Sequence, residues 1–207
     1  MELFNQNILL YLAAYLLSGI PFGYLLAKQF AGVDIKQAGS GNIGATNVLR
    51  VVKEKDPKLA KKLGAATLFL DAVKGIIVIL VAKMLGAPEG VLWTLAVLAV
   101  IGHCFSVFLL FEGGKGVATG FGVLLVMMPI PALIAIVTWV ISSKGLKIVS
   151  LSSLIGLVAF IIASYIMYPE VPGISTHAPI WIIAFIIFYK HIPNIVRIFN
   201  REESTVG

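Results

Sequence analysis

Long apolar runs separated by short polar segments are the dominant pattern along this chain. Five runs are plain, and each has roughly the length that a helix needs to cross the hydrocarbon core of a bilayer, about 20 residues. They cover residues 8–27, 64–86, 91–111, 148–168 and 178–197. The first run is too long for the apolar region of a cleaved signal peptide and follows no basic segment, so we expect it to be a transmembrane helix.

A sixth run, 117–142, has two prolines in its middle, Pro129 and Pro131. Proline lacks the N–H that a helix needs and crowds the preceding turn. The run therefore predicts either one kinked span or two short helices of about 12–13 residues each, joined by a tight turn. Helices that short are tolerated inside a bundle or beside locally thinned lipid.

The positions of the basic residues distinguish these two possibilities, because lysine and arginine are enriched in short cytoplasmic loops. With two short helices, nearly every lysine and arginine outside the spans falls on one side of the membrane, and Lys83 falls on the other. With one kinked span, the basic residues after residue 142 change sides. The sequence therefore predicts an all-α, polytopic bundle of seven transmembrane helices in a single domain, 1–207, with the N-terminus outside and the C-terminus in the cytoplasm.

The composition agrees with a membrane protein, since 59% of the residues are hydrophobic and 13% are charged, against about 25% charged in soluble domains. A net charge of +6 favours nucleic acid in a soluble protein, but here the basic residues follow the membrane topology, so no nucleic-acid partner is expected. The chain has one cysteine and three scattered histidines, without a carboxylate cluster. Neither a metal site nor another cofactor is therefore predicted.

The first of three polar segments on the predicted cytoplasmic side is glycine-rich and covers residues 39–47 (GSGNIGATN). Glycines let the backbone approach a ligand closely, and successive amide N–H groups form a concave nest that suits an anion such as phosphate. Thr46 or Asn47 is expected to cap a following helix, with Arg50 near its first turn. A flexible turn is the alternative interpretation of such a run.

The second segment surrounds Lys115, which lies between Gly113, Gly114 and Gly116 just before an apolar run. A cation beside the positive dipole end of a helix again favours an anion. The spacing is not that of a Walker A loop, and no soluble strand precedes it. His103, about two turns inside the membrane, is interpreted either as a catalytic residue or as a histidine hydrogen-bonded to a neighbouring helix.

The third segment contains His191, Asn194 and Arg197, which are three residues apart and therefore share nearly one helix face. Alone, this segment is also typical of a basic helix that leaves the membrane. With seven passes, all three segments lie on one side and bring Arg50 and Lys115 together with His191 and Arg197. That is more positive charge than one phosphate requires, so we expect two anionic groups in the site.

Asp71 and Lys74 are three residues apart inside the otherwise apolar second predicted helix. Burying either ion alone costs several kcal/mol, so the two are predicted to pair with each other or to line the cavity. Serines beside the predicted loop 144–147 offer further hydroxyl donors on the same side, namely Ser142, Ser143, Ser152 and Ser153.

The three segments together resemble the acyl-phosphate-dependent glycerol-3-phosphate acyltransferases of bacterial membranes. The resemblance extends over essentially the whole chain. It is carried by the order and spacing of SGNIGATN (40–47), GHCFSVFLLFEGGKGVAT (102–119) and KHIPNIVRIFNREE (190–203). Two departures lie in the third motif, where Lys190 stands in place of a common arginine and Arg201 in place of the usual glycine.

The resemblance implies transfer of a fatty acyl group from acyl phosphate to the 1-hydroxyl of sn-glycerol 3-phosphate, giving lysophosphatidate and inorganic phosphate in the first step of phospholipid synthesis. It implies these two small-molecule substrates, a bacterial inner membrane with the active site on its cytoplasmic side, and no obligate protein partner. The residues implied to hold glycerol 3-phosphate are Ser40, Arg50, Lys115, His191 and Asn194, with Lys115, His191 and Asn194 as the catalytic ones. Those implied to form the acyl-phosphate site are Gly41, Asn42, Gly44, Thr46, Asn47, Gly113, Gly114, Gly116 and Ser153.

The sequence offers many phosphate binders but no clear nucleophile with its base. It has no histidine followed five residues later by aspartate, and no evident Ser-His-Asp set. We therefore expect direct attack without an acyl-enzyme, with a substrate phosphate oxygen accepting the hydroxyl proton and His191 orienting the substrate. The alternative is an anion or organophosphate transporter, which needs basic residues on the far side too, where Lys83 is the sole lysine or arginine.

Overall fold

The chain is helical, as the apolar runs predict. The computed structural model describes residues 2–171 and 173–205, with side chains from residue 7 onwards, and no β-strand occurs among these residues. The α-helices of this described part are α1 (Glu2–Gly19), α2 (Phe22–Ala31), α3 (Ala45–Lys53), α4 (Pro57–Met84), α5 (Glu89–Cys104), α6 (Val117–Met127), α7 (Pro129–Leu146), α8 (Val149–Met167) and α9 (Ala178–Phe199). A 3₁₀ turn, Val107–Leu109, lies between α5 and α6.

The prediction of an all-α bundle with many membrane spans is confirmed. Within the described residues, six stretches are long and apolar enough to cross a membrane, and α6 is a shorter apolar helix between two of them. The six are Asn7–Ala31, Pro57–Met84, Glu89–Leu109, Pro129–Leu146, Val149–Met167 and Ala178–Phe199. Because successive passes alternate in direction, the three polar segments all lie at the same end of the bundle, which we call the polar end.

The first predicted span is not one continuous helix, because Pro21 separates α1 from α2. Proline has no N–H to donate into a continuing helix, so carbonyl groups at the break need other donors. Lys74 Nζ donates to the Ile20 carbonyl at 2.9 Å, and Ser106 Oγ donates to the Gly19 carbonyl at 2.6 Å. Side chains from neighbouring helices thus satisfy the backbone where the helix is interrupted, as a low-dielectric environment requires.

The sixth run divides into two helices at Met128, as its prolines predict. α6 has 11 residues, close to the predicted length. α7 has 18 residues, so the prediction that both halves are short is wrong for the second. The reason is that the polar residues after 141 stay helical, with Ser142 Oγ donating to the Thr138 carbonyl and Ser143 Oγ to the Val140 carbonyl.

Small residues bring α6 and α4 into close contact. A Cβ atom at Gly75 would lie 2.6 Å from the Thr119 carbonyl oxygen, and one at Gly122 would overlap the Ala72 carbonyl oxygen. Thr119 Oγ1 also donates to the Asp71 carbonyl at 2.9 Å. Close backbone approach of this kind stabilises helix pairs in membranes, and here it fixes the start of α6 against α4.

Asp71 and Lys74 form the buried ion pair that their spacing predicts. Lys74 Nζ lies 2.7 Å from Asp71 Oδ1, and both side chains are buried. His103 Nδ1 lies 3.7 Å from the same carboxylate oxygen. Since Lys74 also donates to the break after α1, this cluster connects α1, α4 and α5 just below the polar end.

Candidate active site

The three polar segments meet around one cavity of about 740 Å³ at the polar end of the bundle. Its apolar part continues between α4, α6, α7 and α8. Among the polar and glycine residues that line the cavity are Ser40, Asn42, Gly44, Thr46, Asn47, Arg50, Lys115, Gly116, Ser150, Ser153, His191, Asn194, Arg197 and Glu203. The structure thus brings most of the predicted site residues to one place.

Asn47 holds the first glycine loop in shape. Its buried side-chain nitrogen donates to the carbonyls of Ile35, Ala38 and Asn42 over 2.9, 3.1 and 2.8 Å. Its Oδ1 accepts from the Ser40 N–H at 2.8 Å. Both polar atoms of the Asn47 side chain are therefore used inside the protein, and Asn47 gives the loop its curvature.

The glycine loop leads directly into α3, whose N-cap is Gly44. The expectation that Thr46 or Asn47 caps this helix is wrong, because both lie in its first turn and the Asn47 side chain turns back into the loop. The first N–H groups of a helix have no partner within it, and Ala45 and Thr46 both line the cavity. The start of α3 therefore offers the cavity an anion-binding helix end.

Three of the predicted acyl-phosphate residues, Gly41, Gly113 and Gly114, do not line the cavity. Gly41 has a left-handed backbone with φ +68°, which glycine adopts at low cost. The N–H groups of Gly113 and Gly114 donate to the carbonyls of Cys104 and His103 at 3.1 and 3.0 Å, and a Cβ atom on either glycine would overlap His103. These two glycines let the second loop lie directly against the end of α5, and their assignment as acyl-phosphate ligands stays a prediction.

Lys115 and Arg50 bring positive charge to the cavity from two different segments. Burial lowers the pKa of Lys115 to about 8, an effect that Glu203 opposes and that the charges of Arg197 and Arg50 reinforce. Lys115 is therefore mainly protonated near neutral pH. The Arg50 guanidinium donates to Ser204 Oγ, so the first segment also contacts the C-terminal tail.

His191 and Asn194 each present a hydrogen-bond acceptor from α9. His191 Nδ1–H donates to the Ile187 carbonyl at 2.7 Å, which leaves Nε2 of the neutral ring as an acceptor. Asn194 Nδ2 donates to Glu203 Oε1 at 2.6 Å, whereas Asn194 Oδ1 is buried without a partner among the described residues. Both side chains are thus oriented by protein groups and retain an acceptor for a hydroxyl.

The sequence does not predict Glu203 as a site residue, yet its carboxylate lies in the cavity wall. It accepts from Ser150 Oγ at 2.7 Å, from Asn194 Nδ2, and from Arg197 Nε at 2.7 Å. Burial raises the pKa of Glu203, but the hydrogen bonds from Ser150, Asn194 and Arg197 outweigh burial and lower this pKa overall. The carboxylate therefore stays charged and joins the tail to α8 and α9.

A left-handed turn at Arg201, with φ +60°, brings the tail back to the cavity. The Glu202 N–H donates to the Arg197 carbonyl at 2.7 Å and closes this turn. The signal that could have located Glu203 is position 201, where the resemblance implies a glycine in place of Arg201, since a glycine just after a helix is typical of a left-handed turn.

Of the four serines predicted as donors, Ser153 lines the cavity, and Ser142, Ser143 and Ser152 are not among its lining residues. Ser153 Oγ donates to the Val149 carbonyl at 2.9 Å and accepts from Trp139 Nε1 at 3.3 Å. Ser152 Oγ donates to the carbonyl of Ile148, the N-cap residue of α8, at 2.9 Å. Ser150 was not predicted, although it lines the cavity and its hydroxyl contacts the Glu203 carboxylate.

The apolar part of the cavity has the shape of a groove along several helices. Its lining residues include Leu68, Phe69, Phe121, Leu124, Ala135, Trp139, Leu157 and Phe160. Along α8 the lining extends from Val149 to Phe160, about 16 Å at 1.5 Å per residue. The cavity therefore accommodates an amphiphile with an anionic group at the polar end and an alkyl chain in the groove.

Comparison with known proteins shows which family this chain belongs to. The family model described as glycerol-3-phosphate acyltransferase matches residues 8–201. The chain belongs to this family. A relative from a Nitratiruptor species, named glycerol-3-phosphate acyltransferase, is 60% identical and the match covers 98% of this chain and 97% of the relative. A relative of the same name from Wolinella succinogenes is 58% identical, with 98% and 97% covered.

Two solved structures of PlsY (YgiH), described as an integral membrane glycerol 3-phosphate acyltransferase, share the fold. The glycerol 3-phosphate form has a TM-score of 0.85 at 35% identity, and the match covers 98% of this chain and 96% of that one. The lysophosphatidic acid form has a TM-score of 0.83 at 34% identity, with the same coverage. The resemblance drawn from the three motifs is therefore confirmed, as is an integral membrane acyltransferase fold.

Proposed function

We propose that this acyltransferase moves a fatty acyl group from acyl phosphate to the 1-hydroxyl of sn-glycerol 3-phosphate and releases lysophosphatidate and inorganic phosphate. The observation that carries the proposal is the junction, in one cavity, of a cationic polar end with an apolar groove. The PlsY structures support both ends of the reaction, since one is a glycerol 3-phosphate form and the other a lysophosphatidic acid form.

Glycerol 3-phosphate fits the polar end of the cavity. Arg50 and Lys115 supply the positive charge for its phosphate, and charge-assisted hydrogen bonds to such an anion are roughly twice as strong as neutral ones. Its hydroxyl groups are donors, which suits Asn194 Oδ1 and His191 Nε2, the free acceptors of two residues that line the cavity. Ser40, beside the start of α3, completes the proposed set.

Acyl phosphate fits the same cavity with its chain in the apolar groove. Its phosphate then lies at the start of α3, where Asn42, Gly44 and Thr46 line the wall and the helix dipole favours an anion. The other members of this proposed site are Gly41, Asn47, Gly113, Gly114, Gly116 and Ser153. Asn47, Gly41, Gly113 and Gly114 act in it by shaping the loops.

In the proposed step, the 1-hydroxyl oxygen attacks the acyl carbonyl carbon directly. A new ester C–O bond forms, the C–O bond to phosphate breaks, and the hydroxyl proton passes to a substrate phosphate oxygen as inorganic phosphate leaves. An acyl phosphate already has a good leaving group, so positioning and charge stabilisation supply most of the rate enhancement. Lys115 stabilises developing negative charge, while His191 and Asn194 orient the hydroxyl.

The active site is proposed to face the cytoplasm of a bacterial inner membrane. The polar end carries the basic segment 50–62, which runs from α3 into the start of α4, and the basic C-terminal segment 190–201, and the positive-inside rule assigns such segments to the cytoplasm. Glycerol 3-phosphate then reaches the site from the aqueous side and the acyl donor from the bilayer.

The test is phosphate release by the purified protein in lipid vesicles with glycerol 3-phosphate and one of three donors: palmitoyl phosphate, palmitoyl-CoA or palmitoyl-acyl carrier protein. We expect phosphate and lysophosphatidate only when palmitoyl phosphate and glycerol 3-phosphate are both present. If lysophosphatidate forms with palmitoyl-CoA or palmitoyl-acyl carrier protein and not with palmitoyl phosphate, the donor assignment is overturned. A covalent acyl-protein that is chased into product would overturn direct attack.

A further inference from the structure

A row of residues three and four positions apart follows one face of α4: Lys58, Lys61, Ala65, Leu68 and Ala72. This spacing places the five side chains on one side of the helix. Ala65, Leu68 and Ala72 line the cavity. The two lysines therefore continue the apolar cavity wall towards the polar end.

Lys58 and Lys61 lie just beyond the last cavity-lining residue of this row. At 1.5 Å per residue, Lys61 is about 6 Å and Lys58 about 10 Å along the axis of α4 from Ala65. Both side chains are exposed, and within the described part of the chain neither forms an ion pair. The preceding Asp56 carboxylate accepts the N–H groups of Lys58 and Leu59 as the N-cap of α4.

The stability of α4 does not explain the position of Lys58. The lysine lies in the first turn of the helix, where the helix dipole disfavours a cation. Membrane topology favours basic residues at this end, but it does not require them on the face that leads into the cavity. The positive charges of Lys58 and Lys61 lie where they can attract a negatively charged ligand that enters the groove.

The groove is open sideways next to this row. Leu68 and Phe69 line the cavity and are nevertheless 47% and 65% exposed. Both belong to a helix that is long and apolar enough to cross a membrane. A molecule in the bilayer can therefore contact the groove past these two side chains, and its head group then lies at the level of the lysines.

We propose that Lys58 and Lys61 form a docking site for the phosphate of a long-chain acyl phosphate as it enters from the bilayer, with its chain against Leu68 and Phe69. The proposal rests on the proposed function, which makes this molecule the donor. The lysines complement its charge, and the groove beside them is continuous with the cavity in which the reaction takes place. Glycerol 3-phosphate has no chain with which to use the apolar wall.

The test compares the wild type with the double variant Lys58→Gln/Lys61→Gln in phosphatidylcholine vesicles, using palmitoyl phosphate and the water-soluble butyryl phosphate as donors. We expect the apparent KM for palmitoyl phosphate to rise about tenfold, while kcat, the KM for glycerol 3-phosphate and the KM for butyryl phosphate stay unchanged. Added salt should move the wild-type KM towards the value of the variant, because exposed charges are screened.

The matched control is Lys144→Gln/Lys147→Gln, which removes the same charge from exposed positions at the same end of the bundle. This control should leave every constant unchanged. An equal rise of KM for both donors would place the lysines in the catalytic pocket and overturn the docking site. No rise, or the same rise in the control, would overturn it as well. A rise that appears only when phosphatidylglycerol is added would show that the lysines respond to bulk lipid charge, contrary to the proposal.

A binding measurement separates a failed docking site from a failed donor assignment. A palmitoyl phosphonate that cannot be hydrolysed, with a diazirine on its chain, is photo-crosslinked in the same vesicles and mapped by peptide mass spectrometry. We expect labelling of the α4 segment with Leu68 and Phe69, reduced at least twofold in the double variant of Lys58 and Lys61. Equal labelling in the variant would overturn the docking site, whether or not the wild type uses acyl phosphate in turnover.

Discussion

Lys115 supplies the proposed site with a half-buried cation on the loop before α6, next to Gly116. If this charge stabilises the departing phosphate and the oxyanion, Lys115→Ala should raise the barrier by about 2–4 kcal/mol, as the loss of an oxyanion-hole donor does. Initial rates of lysophosphatidate formation measure this effect. Lys144→Ala, an exposed change at the same end of the bundle, is the control, and near-normal turnover in Lys115→Ala would remove Lys115 from the reaction.

The pKa of Lys115, which burial lowers to about 8, makes its contribution visible in a pH profile. A lysine is protonated below its pKa, so the positive charge is lost as the pH rises through about 8. We therefore expect kcat/KM for glycerol 3-phosphate to fall above about pH 8, a range in which the substrate phosphate is already fully charged. In Lys115→Arg the guanidinium keeps its charge and this fall should disappear. A wild-type profile that stays flat to about pH 9.5 would contradict the assignment.

Arg201 occupies the left-handed turn that brings the C-terminal tail back to the cavity, and this turn suits glycine better than arginine. It adopts φ +60°, a left-handed conformation that costs a non-glycine residue roughly 1–2 kcal/mol. Glycine, usual at this position in the resembled family, has no such cost but loses more chain entropy on folding. Arg201→Gly should therefore stabilise the docked tail by about 0.5–1 kcal/mol, measured as a higher thermal unfolding midpoint in detergent. A lower midpoint would mean that contacts of the Arg201 side chain stabilise the fold by more than its left-handed backbone destabilises it.

At the scale of the helices, α4 and α6 pack with their backbones in direct contact, which requires glycine at the contact positions. A Cβ atom at Gly122 would overlap the Ala72 carbonyl oxygen, and such overpacking typically costs about 1–3 kcal/mol. Gly122→Ala should therefore lower the thermal unfolding midpoint of the purified protein. Gly90→Ala is the matched control, since nothing lies within 4 Å of its added methyl group. Equal midpoints for both variants would show that α6 moves away from α4 without cost.

The membrane-spanning helices were largely predictable from the sequence, because each span needs a long apolar run and such runs are plain in this chain. The break at Pro21 was not predicted, because apolar residues continue on both sides of it. Hydropathy also does not show that side chains of other helices donate hydrogen bonds to the carbonyl groups at the break. The donors at the break, Lys74 and Ser106, are distant in sequence. The start of α3 was misplaced for a similar reason, because the carbonyls that bind Asn47 are visible only in the folded loop.

The candidate site was predictable where function leaves a local motif. Glycines next to Ser40 and Lys115, and the spacing of His191 and Asn194, pointed to the residues that line the cavity. Glu203 left no such mark, because its partners come from α8 and α9 and its position depends on one left-handed residue.

At the scale of the whole molecule, the polar end of the cavity joins segments that are far apart in the chain. Arg50 follows the first loop and contacts Ser204 near the C-terminus. The Glu203 carboxylate holds Ser150, Asn194 and Arg197. The arrangement of these groups therefore depends on the docked tail, which makes the tail part of the candidate site.

Glu203→Gln tests this dependence with a minimal change of shape. The substitution removes the charge that Arg197 and the Asn194 amide contact, and hydrogen bonds to charged groups contribute roughly 1.5–3 kcal/mol each. If Asn194 loses its orientation, the KM for glycerol 3-phosphate should rise about tenfold, whereas the KM for acyl phosphate changes little because its proposed groups lie on α3 and in the groove. Glu54→Gln, with the same loss of charge at an exposed position that does not line the cavity, should behave like the wild type. Kinetics with each substrate varied in turn distinguish the cases: equal changes in both KM values would indicate general damage to the fold, and no change in either would show that the tail does not position Asn194.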